Sequence, residues 1–374
     1  MDETVVTPCD FAQLGDEAET AWLRPVGLLT GAAAAAALER GLALPLAAGP
    51  TAFGAVELLA RRGAGIVASY APLARARDWA RARAGAAGAR IAGQLEALST
   101  GRPAWAGLAL DRPLVMGVVN VTPDSFSDGG GFRVPDAAIA HGHALIAEGA
   151  DIVDIGGEST RPGAAPVAPD EELRRIGPVL SALASAGAVV SVDTRHAAAM
   201  AMALAAGARI VNDVTALAGD PASLGTVARS GAAVVLMHMQ GEPATMQRAP
   251  RYGLASLDVL EYLAARIAAC EAAGIARARI VVDPGIGFGK SERHNLEILA
   301  RLALFHALGV GVMVGVSRKS LIGRLTGAAV GERLPGSLAG ALHALGQGVQ
   351  IVRVHDVAAT RQAMAFARAI AAGG

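Results

Sequence analysis

Residues Leu114–Asn120 read LVMGVVN, an almost continuous apolar run that ends in a polar residue. Parallel strands that are buried on both faces have this pattern, whereas strands with one face in water alternate apolar and polar residues. Seven further runs follow, each ending in polar residues and separated from the next by a segment with helical periodicity. They are Asp151–Ile155 (DIVDI), Ala188–Asp193 (AVVSVD), Arg209–Asp213 (RIVND), Ala232–His238 (AAVVLMH), Arg279–Asp283 (RIVVD), Val310–Val316 (VGVMVGV) and Gln350–His355 (QIVRVH).

Residues 113–374 therefore hold eight strand–helix repeats, in a length close to the roughly 250 residues of a (β/α)8 barrel. A doubly wound open sheet is the competing α/β fold. Eight repeats with no strand left over and no obvious switch point favour a closed barrel. We predict an α/β fold with a (β/α)8 TIM barrel over residues 101–374, preceded by an N-terminal extension over residues 1–100.

The first 100 residues differ from the rest in composition, because they are rich in Ala, Gly, Leu and Arg. They include a basic stretch of helical character, Leu73–Arg90, and end in Ser99–Pro103, which is typical of a linker. They contain no phosphate loop, metal-ligand spacing or nucleophile arrangement. We predict a small helical or α/β unit with an arginine-rich face, and the sequence assigns it no function.

The overall composition excludes several function classes. Lys plus Arg and Asp plus Glu each number 33, so the formal net charge is zero and no broad basic face for nucleic acid is expected. Aromatic residues make up 3%, which is too few for a platform that stacks single-stranded nucleic acid. Hydrophobic residues make up 53% and charged residues 18%, which excludes a disordered chain.

Three features bear on the compartment of the protein. The first residues, MDETVVTPCD, are acidic where a secretory signal is positively charged, which predicts a cytoplasmic protein. The two cysteines, Cys9 and Cys270, have no metal-type spacing, so we expect neither a disulfide framework nor a cysteine metal site. The longest stretch without Asp, Glu, Lys or Arg, Leu334–Val352, contains Pro335 and several glycines, so we expect no membrane span.

Polar residues end nearly every predicted strand. In a (β/α)8 barrel the active site lies where the carboxyl ends of the strands meet. A single such residue is usually a helix cap or a loop hydrogen bond, but that explanation weakens when many strand ends converge on one mouth. The candidates are Asn120, Glu158, Asp193, Asn212, Asp213, His238, Asp283, Ser317, Lys319, Arg353 and His355.

Lysine is rare in this chain, since Lys290 and Lys319 are the only two among the 33 basic residues. Positions that keep lysine are candidates for sites where a compact ammonium is needed. Both follow predicted strands, and we predict a functional role for Lys319. Lys290 is equally compatible with a surface position at the start of a helix.

The grouping of these residues indicates two kinds of ligand. Asp193, Asn212 and Asp283 suit a flat nitrogen heterocycle that bears an amino group and ring N–H groups. Two carboxylates in one pocket are also typical of a general acid/base pair or of Mg²⁺ ligands. A second, cation-rich corner suits phosphate or diphosphate, and its members are Arg353, His355 and Asn120.

Two long loops follow the first two strands, Val121–Phe132 and Gly156–Ala168. Loops of this length in a compact barrel are usually lids or binding loops. The segment Gly285–Ser291 (GIGFGKS) looks like a phosphate-binding loop, but the glycine that this motif requires is replaced by Pro284. We therefore do not predict a nucleotide site there.

In order along the chain, the strand ends resemble the motifs of the dihydropteroate synthase family, one motif for each strand. The resemblance covers essentially all of residues 105–374, and the family is a TIM barrel. The matching segments are Met116–Gly130 (MGVVNVTPDSFSDGG), Asp154–Gly163 (DIGGESTRPG), Ser191–Thr194 (SVDT), Val211–Val214 (VNDV), Leu236–Gly241 (LMHMQG), Asp283–Lys290 (DPGIGFGK), Gly315–Gly323 (GVSRKSLIG) and Arg353–Val357 (RVHDV).

The resemblance implies a reaction, a metal and a set of site residues. The reaction joins 6-hydroxymethyl-7,8-dihydropterin pyrophosphate to 4-aminobenzoate, gives 7,8-dihydropteroate and pyrophosphate, and requires Mg²⁺. The implied pterin site is Asp193, Asn212, Met237, Asp283 and Lys319. The implied pyrophosphate site is Asn120, Arg353 and His355, with Asn120 near Mg²⁺. The implied aminobenzoate site is Thr160, Arg161, Pro162, Phe288, Lys319 and Ser320. The resemblance also implies a homodimer.

The implied chemistry agrees with the residue types. An electron-rich pterin ring stabilises a methylene cation, so the C–O bond to pyrophosphate can break before the arylamine attacks. The protein then mainly stabilises the departing pyrophosphate, which Mg²⁺, Arg353 and His355 suit. We expect Asp124 in the first loop to help stabilise the developing cation.

The extension of about 100 residues is the main departure from the family pattern, and we expect it to pack on the barrel or to contribute to oligomer contacts. Three rival functions stay open at this point. They are a methyltransferase acting on a methylated folate, a non-catalytic pterin-binding paralogue, and an unrelated phosphate-binding barrel isomerase. The first of these shares the carboxylate–amide pocket but has no need for the Ser159–Gly163 loop or the cation-rich corner.

Overall fold

The computed structural model of this chain describes residues 6–122, 134–158 and 167–373. Its amino-terminal part is a five-stranded sheet with helices, in which β1 pairs with β5, β5 with β4, and β4 with both β2 and β3. The strands are β1 (Val6–Pro8), β2 (Trp22–Leu29), β3 (Leu44–Pro45), β4 (Ala52–Arg62) and β5 (Gly65–Pro72). The helices are α1 (Gly31–Glu39), α2 (Leu73–Ala82) and α3 (Ala86–Ser99).

The remaining strands close into a barrel in which every neighbouring pair is parallel and β13 pairs with β6. The fold predicted from the sequence is therefore confirmed, and each predicted strand lies within two residues of an observed one. The strands are β6 (Leu114–Asn120), β7 (Ile152–Gly156), β8 (Val190–Asp193), β9 (Ile210–Asp213), β10 (Ala233–Met237), β11 (Ile280–Asp283), β12 (Gly311–Val314) and β13 (Ile351–Val354).

Helices surround the barrel and connect its strands. They are α4 (Val134–Ala147), α5 (Pro169–Ser185), α6 (Ala197–Ala205), α7 (Ser223–Ser230), α8 (Ala255–Ala272), α9 (Glu292–Ala300), α10 (Ser320–Thr326), α11 (Leu334–Gly346) and α12 (Val357–Gly373). Within the described ranges, we find no helix both long and apolar enough to cross a bilayer.

The barrel has an apolar interior and an apolar shell. Side chains such as Met116, Val235 and Met313 fill the interior, and Trp105 joins the same cluster. Trp105 donates its indole N–H to the carbonyl of Arg279, just before β11, at 2.9 Å. The other face of each strand packs on the surrounding helices in a larger cluster. Burial on both faces explains why the strands lack an alternating pattern.

The basic stretch Leu73–Arg90 does not form one helix. α2 ends at Ala82, and α3 begins at Ala86 after Gly85, whose φ of 93° is costly for any residue with a side chain. Arginine contacts are spread over both helices, and Arg83 and Arg90 lie over the rings of Trp79 and Trp22.

The N-terminal extension shares its core with the barrel. Its buried cluster includes Ala303 and Ala307, which lie in the 3-10 segment just before β12. The buried side chain of Gln94 accepts from the backbone N–H of Leu23 and donates to the carbonyl of Ala307, at 3.2 and 3.3 Å. At the exposed edge of the contact, Arg61 pairs with Asp258 and Glu261 of α8. The extension therefore contacts the end of the barrel at which strands begin, and the outside of α8.

These contacts predict unequal effects for two substitutions that both remove a bridge between extension and barrel. Gln94→Ala leaves two buried backbone groups without partners, which lowers the free energy of unfolding by about 1–3 kcal/mol. Arg61→Ala removes solvent-exposed ion pairs and changes it by about 0–1 kcal/mol. Urea denaturation of both variants measures the difference. Equal effects would contradict a buried polar contact at this interface.

Candidate active site

Strand register brings the predicted polar residues to one end of the barrel. Asp193 at the end of β8 lies opposite Asn212 on β9 and opposite Gly156 on β7. Asp283 ends β11 beside Met237, which ends β10. Parallel strands in a closed barrel end on the same rim, so residues far apart in sequence face one mouth.

Arg353 is the centre of this cluster. It lies within β13 and donates from Nε to Oδ2 of Asp154 at 2.6 Å, and from a terminal nitrogen to Oδ2 of Asp193 at 2.7 Å. The same Oδ2 of Asp154 accepts from the amide nitrogen of Asn212 at 3.0 Å. A buried guanidinium requires anionic partners, and here two carboxylates supply them. Arg353 consequently adjoins the proposed heterocycle pocket and does not form a separate cation-rich corner.

Burial and charge shift the ionisation of these groups in opposite directions. Burial raises the pKa of Asp193 to about 7, against the lowering effect of the Arg353 guanidinium. Burial would lower the pKa of Arg353, but Asp154 and Asp193 raise it above its ordinary value. Arg353 therefore stays charged, while Asp193 titrates near neutrality.

Lys319 and Asp283 are two further charged groups at the rim, close enough that the charge of each shifts the pKa of the other. Asp283 accepts from the backbone N–H of Gly285 at 2.7 Å, and burial raises the pKa of this carboxyl. Lys319 donates to the carbonyl of Ile286, and its ammonium lies 4.7 Å from the centre of the Phe288 ring. Burial lowers the pKa of Lys319 to about 8, although Asp283 opposes this shift. The lysine is therefore a cation whose proton is lost more easily than usual.

Lys290 is not a surface residue at a helix start, which corrects one of its two interpretations. Its side chain is 1% exposed, and its nitrogen lies 2.9 Å from Nδ1 of His238. The same nitrogen donates to the carbonyls of His238, Gly285 and Phe288. Burial lowers the pKa of His238 to about 2, so that ring stays neutral beside the amine. Lys290 thus ties the loop after β11 to the end of β10.

The same loop needs glycine at position 285. Gly285 has a φ of 68°, and a Cβ atom there would lie 2.0 Å from the carbonyl oxygen of His238. Backbone must approach backbone this closely for Lys290 to reach its carbonyl partners. The GIGFGK pattern that looked like a phosphate loop is therefore a packing and turn requirement of this barrel.

The other predicted residues lie around the same rim. His355 places Nδ1 3.0 Å from the hydroxyl of Ser317, which also accepts from the His355 backbone N–H. Asn120 is half-buried at the end of β6. Ser320 is exposed at the start of α10, where its hydroxyl accepts from Arg324. The remaining predicted residues lie outside the described ranges: Asp124, Thr160, Arg161 and Pro162.

Glu158 lies at the start of the second long loop and is held in place. It accepts two hydrogen bonds from Arg195 and one from the backbone N–H of Val167. Burial alone would raise the pKa of Glu158, but the Arg195 contacts bring it below the ordinary value. Glu158 therefore connects Val167, near the end of this loop, to Arg195, which follows β8.

Asp154 is the residue that the sequence reasoning missed. It is the middle residue of β7, and its carboxylate contacts both Arg353 and Asn212. The sequence does contain a signal for Asp154, because this polar residue interrupts an apolar strand, as Asn212 and Arg353 do in theirs. A criterion based on strand ends alone does not select it.

The arrangement is suited to binding a flat, polar heterocycle beside an anion. Carboxylates and an amide supply acceptors, Lys319 supplies a donor, and Arg353 supplies a fork of donors for phosphate oxygens. Among the described residues, no group of three or more His, Cys, Asp and Glu side chains is arranged to hold a metal ion.

Comparisons with known proteins agree with this chemistry. A family model described as "Pterin binding enzyme" matches residues 116–355. Dihydropteroate synthase from Escherichia coli K12 is 49% identical over 258 residues, which cover 69% of this chain and 91% of the relative. The enzyme from Neisseria meningitidis serogroup B is 50% identical over 264 residues, covering 69% of this chain and 92% of the relative.

Solved structures give the same result. Dihydropteroate synthase from Xanthomonas albilineans with 4-aminobenzoic acid has a TM-score of 0.67 and 49% identity, covering 71% of this chain and 96% of that one. The enzyme from the same organism in complex with 7,8-dihydropteroate has a TM-score of 0.65 and 47% identity, covering 70% of this chain and 95% of that one.

Replacing each lysine by methionine is predicted to affect stability and ligand binding to different extents. Lys290→Met leaves buried carbonyl groups without a donor, so the free energy of unfolding falls by about 1–3 kcal/mol. Lys319 is half-buried at the rim. Lys319→Met should therefore weaken ligand binding, and it should lower the free energy of unfolding by less than Lys290→Met does. Denaturation and ligand titration on both variants test this. A Lys290→Met protein as stable as the parent would show that Lys290 does not hold the loop after β11 against the end of β10.

Proposed function

The chain belongs to the pterin-binding enzyme family, and we infer that it is a dihydropteroate synthase, a transferase of folate biosynthesis. It joins 6-hydroxymethyl-7,8-dihydropterin pyrophosphate to 4-aminobenzoate and produces 7,8-dihydropteroate and pyrophosphate. The observation that carries this conclusion is the cluster of Asp193, Asn212, Asp283, Lys319 and Arg353 at one rim of a barrel whose relatives bear this activity.

The pterin ring is proposed to bind between β8, β9 and β11. Asp193 and Asp283 accept from the amino and ring N–H groups, while Asn212 and Lys319 complete the hydrogen-bonding edge. Met237, which is 5% exposed at the end of β10, supplies an apolar surface. Fixed donors and acceptors of this kind reject ring systems whose own groups would stay unpaired.

Arg353 and His355 are proposed to hold the pyrophosphate. The guanidinium carries a permanent charge and is already oriented by carboxylates, so it needs no rearrangement to stabilise charge that develops on the leaving oxygen. His355 is fixed by Ser317 on the neighbouring strand end. As the C–O bond breaks, Asp124 is proposed to stabilise the methylene cation.

Mg²⁺ is proposed as the metal of the reaction. It usually binds through few protein ligands together with waters and substrate phosphates, so the pyrophosphate of the substrate would supply part of its oxygen ligands. Asn120 offers an amide oxygen at the end of β6 for this purpose. When bound, the ion would offset negative charge on the pyrophosphate.

The aminobenzoate is proposed to bind beside Phe288, Lys319 and Ser320, with the loop residues Thr160, Arg161 and Pro162. Phe288 offers a ring face, and the ammonium of Lys319 lies over that ring. Ser320 is exposed at the start of α10 and can donate to a carboxylate. The arylamine needs little help from a base once the cation has formed.

A homodimer and a cytoplasmic location are also proposed. Phe366 and Ile370 lie four residues apart on α12, are 70% and 62% exposed, and therefore share one helix face. Large exposed apolar side chains in a group are typical of protein interfaces. Other exposed apolar side chains occur on α9, on α10 and just before α11: Leu296, Leu325 and Val330. Free Cys9 and Cys270 suit a reducing compartment.

The direct test is pyrophosphate release by the purified full chain with the pterin pyrophosphate, Mg²⁺ and 4-aminobenzoate. Release is expected only when the arylamine is present. Arg353→Ala should lower kcat by about 10²–10³, because it removes a preorganised donor to the leaving group. Arg174→Ala, an exposed arginine on α5, is the control and should behave like the parent. Arylamine-independent release, or normal turnover by Arg353→Ala, would overturn the assignment.

The pH dependence of kcat/KM for the pterin substrate follows from two rim groups. Asp193, with a pKa of about 7, becomes an acceptor as the pH rises, so activity rises through pH 7. Lys319, with a pKa of about 8, loses its proton above that pH, so activity then falls. We expect Asp193→Asn to flatten the acidic limb and Lys319→Arg to displace the alkaline limb. Ionisation of the substrate affects the parent and both variants equally. Identical pH profiles for the three proteins would therefore refute the assignment of the two limbs to Asp193 and Lys319.

A further inference from the structure

We propose that Asp154 is a positioning residue that links the pterin half of the site to the pyrophosphate half. This inference rests on the proposed function of the rim. Oδ2 of Asp154 accepts from Nε of Arg353 at 2.6 Å and from the amide of Asn212 at 3.0 Å. A single oxygen therefore orients one residue from each half.

The contact determines how Asn212 presents its amide. A carboxylate can only accept, so the NH₂ group of Asn212 must face Asp154. The carbonyl oxygen of that amide then points away from Asp154 and is offered as an acceptor. Without Asp154, both orientations of the amide become available, and the pocket loses its preference for a ring N–H donor at this position.

The contact also provides a lasting counter-charge for Arg353. Arg353 pairs with Asp154 through Nε and with Asp193 through one terminal nitrogen. Asp193 is proposed to bind the pterin, so its hydrogen-bonding capacity is shared with the substrate. Asp154 is 0% exposed and keeps the guanidinium plane fixed while that sharing occurs. The guanidinium can then meet a phosphate without turning.

A contribution to the stability of the fold does not explain why a carboxylate is buried at position 154. The residue is fully buried, and its second oxygen has no hydrogen-bond partner among the described residues. Burying a carboxylate with an unsatisfied oxygen is unfavourable, and apolar side chains often replace buried ion pairs without loss of stability. A site role explains why a charge stands inside an apolar strand.

The test measures the two halves separately on the full chain with Asp154→Asn. Titration with Mg²⁺–pyrophosphate and with 6-hydroxymethylpterin should each show binding weakened about tenfold or more, the effect of losing a hydrogen bond to a charged group. The KM for 4-aminobenzoate should stay within about twofold. Ser191→Ala is the matched control, because Ser191 is buried opposite Asp154 in the register of β7 and β8. It should bind both probes like the parent.

A double-mutant cycle separates positioning from a general loss of structure. In an Arg353→Ala background, Asp154→Asn should no longer weaken pyrophosphate binding, whereas its effect on pterin binding should persist through Asn212. Full additivity on both probes, or parent-like affinities in Asp154→Asn, would overturn the proposal.

Two further outcomes are decisive. If Asp154→Asn does not fold, Asp154→Ser, which keeps a small acceptor, replaces it, and failure of both to fold assigns Asp154 to stability and rejects the proposal. A parent protein that forms no dihydropteroate refutes the function instead. Parent turnover together with unchanged affinities in the variant refutes only the role of Asp154.

Discussion

The pairing of β13 with β6 is the contact on which the site depends, because it closes the barrel and turns eight strand ends into one rim. Closure brings Arg353 within hydrogen-bonding distance of Asp154, 199 positions earlier in the chain. An open sheet with the same strands would place these residues at opposite edges. The charged cluster is thus a product of topology, and the apolar strand interiors that enforce closure also supply its low-dielectric surroundings.

Much of the fold could be predicted from the sequence, because strands buried on both faces leave a clear apolar signature. The helical character of Leu73–Arg90 is also present in the structure, as the two helices α2 and α3 on either side of Gly85. Composition alone does not determine where the first helix ends and the second begins. For the site, polar residues at strand ends predicted a group that the structure brings together at one rim, including Asp193, Asn212 and Arg353. The search at strand ends missed Asp154, whose importance lies in which side chains it contacts, and it left open Lys290, whose burial depends on how a loop folds over β10.

The acidic and basic side chains at the rim lie close together and are largely shielded from water. Asp154, Asp193 and Asp283 face Arg353 and Lys319, so three acidic groups surround two basic ones in a partly dehydrated space. Burial is the largest cause of both shifts: it raises the pKa of Asp193 to about 7 against the effect of Arg353, and it lowers the pKa of Lys319 to about 8 against the effect of Asp283. A site poised in this way changes its protonation when a ligand contributes its own donors or negative charge. Binding and proton uptake are consequently linked.

The N-terminal extension contacts the barrel through Ala303, Ala307 and α8, on the side where strands begin and along one flank. In barrels of this class, that end serves the scaffold and the opposite end serves chemistry. Substitutions on the contact face of the extension are therefore expected to affect catalysis through the stability of the barrel, because the charged rim lies at the opposite end.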